Sequence, residues 1–205
     1  MFKMTLDHIA VLGETLAEAV RHVEKALGQP MEPGGVHPRF GTHNQLIGLN
    51  PELYIEAIAI DPSAPDLPDA RWFGLDTFQG PPRLDKWICA VDDMAAALEA
   101  LPMAGRPVEL SRGTLSWTMA VPEDGLLPYD GLFPALIQWH TPVPPGKSLA
   151  ADDNTLTGLV VSHPLADALQ ALLAPHLDAP LVRFQAGAPG LTATIHQCHT
   201  EKTLQ

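Results

Sequence analysis

The apolar positions near the start of the chain predict a strand followed by an amphipathic helix. Residues 6–11 form a short apolar run that is typical of a strand. Residues 16–27 carry their apolar side chains at helical spacing, with Thr15 as the predicted N-cap and Gly28 as the predicted end. The chain therefore opens with a β–α unit.

The same order of elements returns in the middle of the chain. Residues 84–86 match residues 6–8 at an offset of 78 positions, and the same offset aligns a second helix that Asp93 is predicted to cap. One constant offset across a strand and a helix indicates an internal repeat. Each copy is predicted to continue through turns into further strands. In the first copy a turn is predicted at residues 33–35, and the predicted strands of the two copies include residues 41–49, 53–60, 115–121 and 135–140.

A third and shorter set of predicted elements follows a linker that is rich in proline, aspartate and alanine. It contains a predicted strand, a helix and two more strands between residues 156 and 197. The predicted fold class is α+β, with paired βαβββ modules forming curved mixed sheets around a cup, plus a C-terminal βαββ repeat. The predicted boundaries are 1–62 for the first module, 83–142 for the second, and 154–205 for a C-terminal extension or partial third repeat.

Composition narrows the classes of partner. The formal net charge of −12 disfavours nucleic-acid binding, which requires cationic side chains against phosphates. Apolar runs are too short for a membrane span. Cys89 and Cys198 form no metal-binding or redox spacing, so a reduced, cytoplasmic protein is expected.

Four stretches of the chain resemble the glyoxalase-like domain family of the vicinal oxygen chelate superfamily. The most specific is residues 34–44, Gly-Gly-Val-His-Pro-Arg-Phe-Gly-Thr-His-Asn, beside residues 6–11, 54–59, and 115–117 with 136–139. The resemblance covers residues 4–142 best. It implies a cup that holds a divalent metal ion (Fe, Zn, Mn or Ni) and a small organic substrate.

In that superfamily the metal ligands lie on the first and last strands of each unit. Carried over by position, the resemblance implies His8 and Glu56 as ligands. His43 is the candidate third ligand, because its strand is expected to flank the strand of Glu56, and Glu56 is also the candidate catalytic residue. Such a set would be two histidines and one carboxylate with open positions. A carboxylate inside an apolar strand is costly without a partner, which agrees with a role for Glu56.

The second unit departs from the pattern. Lys86 occupies the position equivalent to His8, and Gln138 is assigned to the position equivalent to Glu56. A protonated lysine is a poor metal ligand, so a symmetric four-ligand site is not expected. Lys86 could instead pair with Glu56 and replace the cation, or be an exposed charge at an edge strand.

Six further polar residues are candidates for contacting the substrate inside the cup. Arg39 is one of few cations in the chain, and could bind a carboxylate or phosphate bidentately. Each candidate also has a plainer interpretation as a solvated loop residue or a hydrogen-bonded strand residue. The candidates are His37, Arg39, Asn44, Lys86, Gln138 and His140.

Two functions follow as hypotheses. The first is a metal-dependent lyase, isomerase or dioxygenase acting on a small organic substrate. The alternative is a metal-independent protein that binds or sequesters a small molecule in the same cup. A third possibility is a homodimer that uses the last repeat as its interface and keeps no small-molecule activity.

Overall fold

The computed structural model describes residues 2–205, so Met1, where the first predicted module begins, lies outside the described residues. These residues form an eight-stranded sheet, a four-stranded sheet and four α-helices. The strands are β1 (Met4–Leu12), β2 (Glu32–His37), β3 (Thr42–Leu49), β4 (Leu53–Ile60), β5 (Arg83–Val91), β6 (Arg106–Arg112), β7 (Leu115–Val121), β8 (Ala135–Trp139), β9 (Thr155–Ser162), β10 (Val182–Gln185), β11 (Gly190–Gln197) and β12 (Thr200–Leu204). The helices are α1 (Leu16–Leu27), α2 (Met94–Ala100), α3 (Pro145–Ser148) and α4 (Ala166–Leu173), with 3₁₀ turns at Trp72–Gly74 and Pro102–Ala104.

The large sheet has the strand order β2-β3-β4-β1-β5-β8-β7-β6. The first four strands come from the first unit and the last four from the second, in mirrored order, so the two units are symmetric about the pair of β1 and β5. The antiparallel pairing of β1 with β5 preserves this symmetry, because His8 lies opposite Ile88 and Ala10 lies opposite Lys86. Those two pairs are related by the offset of 78 positions. The predicted α+β class with paired units is therefore confirmed.

The first helix has the ends that the sequence predicts. The Thr15 hydroxyl accepts from the Glu18 backbone N–H at 3.3 Å and donates to the Glu18 carboxylate at 2.8 Å, which is a reciprocal N-terminal cap. Gly28 ends α1 with a φ of 72°, a left-handed conformation that glycine adopts without steric cost. The apolar face of the helix packs on the outer surface of the sheet, through Ala19, Val20, Val23 and Leu27.

The turn predicted at residues 33–35 is instead part of β2. This strand lies at an edge of the sheet and pairs only with β3, with an irregular register between Pro33 and Val36. An edge strand tolerates a proline and glycines because one side of its backbone needs no partner. The prediction from local turn chemistry was wrong for this reason.

The C-terminal segment contains the elements of a βαβββ unit but pairs its strands differently. In the first unit β1 lies parallel to β4, whereas in the C-terminal sheet β9 lies between β10 and β11, in the order β10-β9-β11-β12. The C-terminal segment therefore has a strand order of its own, different from that of the first two units. It packs on the outer face of the large sheet, where the Phe184 ring meets Trp87 edge to face.

The inner face of the curved sheet remains as a cup, and the segment between β4 and β5 folds over part of it. Among residues 2–205, no helix combines the length and the apolar character that crossing a membrane requires.

Candidate functional site

A bulge in β1 brings two consecutive ionisable side chains to the cup. The register between β1 and β5 passes from Leu6–Cys89 to His8–Ile88, so Asp7 is an extra residue in its strand. Neighbouring residues of a regular strand point to opposite faces, and a bulge changes the direction of a side chain. As a result, Asp7 reaches its neighbour His8, which lines the cavity.

Two direct contacts hold the His8 ring. Its Nδ1 lies 2.6 Å from Asp7 Oδ1, and Asp7 Oδ2 accepts a hydrogen bond of 2.9 Å from Trp139 Nε1. The Tyr54 ring stacks on the imidazole with a centroid distance of 4.3 Å. Because Nδ1 is taken by Asp7, only Nε2 is left to act in the cavity.

Glu56 provides the second polar group of the cavity wall. Asn44 Nδ2 donates to Glu56 Oε1 at 2.5 Å, and Glu56 Oε2 lies 3.6 Å from His8 Nε2. A separation of 3.6 Å is too long for a hydrogen bond, so each of these two atoms keeps hydrogen-bonding capacity for a ligand. Both side chains are buried and adjacent to aromatic rings.

The proton of this pair resides on His8. Burial alone lowers the pKa of His8, but the hydrogen bond to Asp7 and the charges of Asp7 and Glu56 outweigh burial and raise the pKa from 6.5 to about 9. Burial raises the pKa of Glu56, and the adjacent His8 overcomes that effect and lowers it below the ordinary value. The pair is therefore an imidazolium next to a carboxylate at neutral pH.

The rest of the cavity is largely aromatic. The cavity itself is small, with a volume of about 40 Å³ for the centres of water-sized molecules, and its mouth is open to solvent. Trp72 and Phe73 come from the segment between β4 and β5, in which Trp72 stacks on Phe40 at 4.3 Å. The other apolar lining residues are Leu46, Leu115, Trp117, Met119, Ile137, Trp139 and Pro145.

Arg112, at the end of the edge strand β6, crosses the mouth of the cup to the opposite edge of the sheet. Its Nη1 donates to Asn44 Oδ1 and to His37 Nε2, each at 3.3 Å. His37 Nε2 accepts, so its Nδ1–H donates to Thr42 Oγ1 at 3.1 Å. Burial and the positive charge of Arg112 together lower the pKa of His37 to about 4, although Glu56 opposes them, so the ring is neutral.

The structure places His37 and Asn44 in the cavity wall, but it does not place His43 there. Asn44 and Leu46 line the cavity from β3. Because neighbouring residues of a strand point to opposite faces, His43 and Gln45 are expected to point away from the cavity. His43 therefore does not line the cavity beside His8 and Glu56. Arg39 also lies elsewhere, since it is exposed and paired with Asp69 at 2.5 Å.

The structure places Gln138 and His140, two of the predicted contacts from the second unit, outside the lining of the His8 cavity. Gln138 lies on the helix side of β8, where it accepts from the Met94 N–H and donates to the Asp92 carbonyl at the start of α2. His140 bonds Thr118 Oγ1 at 2.8 Å and lines a shallow outer depression. The neighbours of Gln138 in the strand, Ile137 and Trp139, line the cavity instead.

Lys86 mirrors His8 in the repeat but does not pair with Glu56. Its Nζ binds the Asp85 carboxylate, as His8 binds Asp7, in a separate depression that also contains Asp130. Phe73 lines both this depression and the cavity of His8. Lys86 therefore occupies the position equivalent to His8 in the repeat, but its side chain lies in a different depression.

The donor set does not fit a resident divalent metal ion. Ala10 pairs with Glu56 in the first unit, and Ile88 pairs with Ala135 in the second, so an alanine occupies the position equivalent to Glu56. Nowhere in residues 2–205 do three His, Cys, Asp or Glu side chains converge as a metal site would require. Only His8 and Glu56 face each other across the cavity, since Asp7 binds the other nitrogen of His8 and the Asn44 amide is held by Gly35, Arg112 and Glu56.

Several residues of the site escaped prediction from the sequence. The repeat gave an indication of the role of Asp7, because an aspartate precedes both His8 and its counterpart Lys86. The sequence contains no indication of the role of Arg112, since its position in the cup depends on how the two edges of the sheet meet. The aromatic wall carried only the general signal that tryptophan is often found at binding sites.

One solved structure shares this fold over nearly its whole length. A hypothetical protein from Staphylococcus aureus has a TM-score of 0.67 at 13% identity, with 98% of each chain covered. Methylmalonyl-CoA epimerase from Mycobacterium tuberculosis has a TM-score of 0.43 at 19% identity, covering 68% of this chain and 88% of its own. A methylmalonyl-CoA epimerase in complex with methylmalonyl-CoA and ammonium has a TM-score of 0.43 at 14% identity, with 68% and 96% covered.

No curated protein matches the chain. The model of the family described as "Glyoxalase-like domain" matches residues 6–177, which include both units of the large sheet and the start of the C-terminal sheet. This protein therefore belongs to the glyoxalase-like domain family.

Proposed function

We propose that this protein is an acid–base enzyme of the isomerase or lyase type, which moves a proton at a carbon atom next to a carbonyl group. The observation that supports this proposal is the pair formed by His8 Nε2 and Glu56 Oε2, which face each other at 3.6 Å in a buried, aromatic cavity. A base and an acid at this separation can act on two adjacent atoms of one substrate.

The proposed step uses the ionisation states of the resting pair. The Glu56 carboxylate accepts the proton from carbon, and the electrons of the C–H bond form the carbon–carbon double bond of an enolate. The carbonyl oxygen receives a proton from His8 Nε2, so charge does not accumulate in the cavity. The two transfers give a neutral enol, with the carbon's proton on Glu56 and a neutral His8. In an isomerisation of an α-hydroxycarbonyl substrate, Glu56 returns its proton to the former carbonyl carbon while His8 takes the proton of the neighbouring hydroxyl group. In an elimination, the leaving group departs from the next carbon with the Glu56 proton, and the enol proton returns to His8.

Three neighbours position the reacting groups. Asp7 keeps Nε2 of His8 directed at the cavity and stabilises the imidazolium. Asn44 holds one oxygen of Glu56, which leaves the other oxygen as the base. Tyr54 supports the imidazole by stacking, and burial raises the pKa of its own hydroxyl well above 10, as do the nearby carboxylates, so this hydroxyl stays neutral.

Deuterium exchange tests the proposal without knowledge of the natural substrate. Small ketones, with 2-oxobutanoate and butanone as a carboxylated and a neutral pair, are incubated with the protein in D₂O, and deuterium at the carbon next to the carbonyl is measured by NMR. Glu56→Gln keeps an acceptor for Asn44 and removes the base. We expect the exchange rate to fall by about 10²- to 10⁴-fold in this variant.

Glu52→Gln is the matched control, because Glu52 is exposed just before the same strand, β4. This variant should exchange at the wild-type rate. Absence of exchange above the blank for every ketone, or equal rates in the wild type and in Glu56→Gln, would overturn the proposal.

A metal-independent binding protein is the second candidate, and the aromatic wall favours it. Trp72, Trp117 and Trp139 would hold a flat ligand by stacking whether or not a reaction follows. Binding without exchange would identify this function. The dioxygenase hypothesis depended on a set of two histidines and one carboxylate that the described residues 2–205 do not assemble.

A further inference from the structure

We infer that Arg112 is the anchor for a carboxylate group, so that the ligands of this cavity are small organic acids. This assignment rests on the proposed function, since it uses the same cavity and adds the class of substrate. It is carried by the position of Arg112, by its lack of a carboxylate partner and by the room that Gly35 leaves for it.

The charge of Arg112 is not neutralised by the protein. Within residues 2–205, no Asp or Glu oxygen lies within 4 Å of its guanidinium, whereas Arg39, Arg71 and Arg83 each pair with an aspartate. The hydrogen bonds of Arg112 go from Nη1 to two neutral acceptors, His37 and Asn44. A guanidinium has five N–H donors in a planar fork, and the donors not used by the protein suit a carboxylate.

The place of Arg112 is built into the opposite edge of the sheet. A Cβ atom on Gly35 would lie 2.7 Å from Arg112 Cδ and 2.8 Å from Nη1, so the arginine passes where this glycine has no side chain. The Asn44 amide oxygen accepts from both the Gly35 N–H and Arg112. The neutral ring of His37 completes the cradle without adding a second positive charge, because its pKa is lowered by burial and by Arg112.

One amide group separates this anchor from the proposed base. Asn44 donates to Glu56 through Nδ2 and accepts from Arg112 through Oδ1, so the two ionised groups flank a single side chain. A ligand with its carboxylate on Arg112 can therefore present a carbon only a few bonds away to Glu56. The apolar remainder of such an acid would lie against Trp117 and Trp139, which are tilted together at 5.5 Å.

Tryptophan fluorescence gives a direct binding assay. Benzoate and benzamide have nearly the same shape and differ in charge, and either should quench the tryptophans that line the cavity. We expect the wild type to bind benzoate at least about tenfold more tightly than benzamide, because a bidentate arginine–carboxylate pair is a charge-assisted interaction. In Arg112→Gln the two dissociation constants should become nearly equal.

Arg106→Gln is the matched control, since Arg106 is exposed at the other end of the same strand. It should keep the preference for benzoate. A purely structural role of Arg112 as a clasp between the sheet edges would weaken both ligands alike, and an unchanged ratio in Arg112→Gln would overturn the inference. So would a wild type that binds the two probes equally. Arg112→Lys, which keeps the charge but not the planar fork, should show a reduced preference, and it serves as the variant if Arg112→Gln does not fold.

The outcomes separate this inference from the proposed function. A preference for benzoate that depends on Arg112, without deuterium exchange into any ketone, would leave the inference standing and reject the enzyme. Exchange at equal rates into 2-oxobutanoate and butanone would support the enzyme and reject the carboxylate anchor.

Discussion

The contact between His8 and Asp7 makes the stability of the fold depend on pH in a predictable direction. The pKa of His8 rises from its ordinary value of 6.5 to about 9 in the folded protein. Burial alone would lower this pKa, but the hydrogen bond to Asp7 and the charges of Asp7 and Glu56 have the larger effect. A raised pKa means that the folded state binds the proton more tightly than the unfolded chain. The stabilisation is therefore complete below pH 6.5 and is lost as the pH rises to about 9, and it amounts to about 3 kcal/mol.

The perturbation is Asp7→Asn, which removes the carboxylate next to His8 but keeps an oxygen that can accept from Trp139. Urea unfolding of the wild type should show a free energy of unfolding that falls by about 3 kcal/mol between pH 6.5 and pH 9. The variant should be less stable by about 1.5 to 3 kcal/mol at pH 6.5, with a smaller difference at pH 9. The lowered pKa of Glu56 describes the same interaction, so its effect is not added.

Asp178→Asn is the control, because this aspartate is exposed and its side chain makes no hydrogen bond within residues 2–205. Its unfolding free energy should follow the wild-type curve. NMR titration of carbon-13-labelled histidine reads the His8 proton directly. A His8 resonance that titrates at or below pH 6.5, or an equal loss of stability with pH in Asp7→Asn, would refute the reasoning.

Two further predictions concern the same cavity. Dialysis against EDTA, followed by metal analysis, should leave the deuterium exchange rate and benzoate binding unchanged, because only His8 and Glu56 face each other as ligands; recovery of activity with Zn²⁺, Mn²⁺, Fe²⁺ or Ni²⁺ would contradict this. His37 has a pKa lowered to about 4 by burial and Arg112, so the stability it contributes is present above pH 6.5 and falls by about 3 kcal/mol as the pH drops from 6.5 to 4. Urea unfolding over this range should show a weaker fall in His37→Gln, and an equal fall would exclude His37 as its source.

Much of the fold could be predicted from the sequence because its signals are local. The cap at Thr15, the stop at Gly28 and the apolar stripe of α1 depend on residues a few positions apart. The internal repeat in the sequence predicted that the chain contains two equivalent units. The edge strand β2 was missed, because its proline and glycines indicate a turn unless a neighbouring strand is known to pair with it.

The candidate site was predicted only in part, for a reason of geometry. Strand alternation puts Gln138 on the face opposite Ile137 and Trp139, but it does not tell which of the two faces looks into the cup. Polar side chains were assigned to the interior, whereas Ile137 and Trp139 line it. His43 was misplaced by one position in the same way, since its neighbour Asn44 is the residue that reaches Glu56.

By itself, the sequence determined the repeat, the helix ends and the equivalence of Lys86 with His8, because each depends on spacing along the chain. The tertiary structure decided what surrounds His8. The bulge at Asp7, the separate depression of Lys86 and the reach of Arg112 from one sheet edge to the other depend on contacts between residues far apart in sequence. These contacts place the His8 imidazolium next to the Glu56 carboxylate, with Arg112 at the mouth of the cavity.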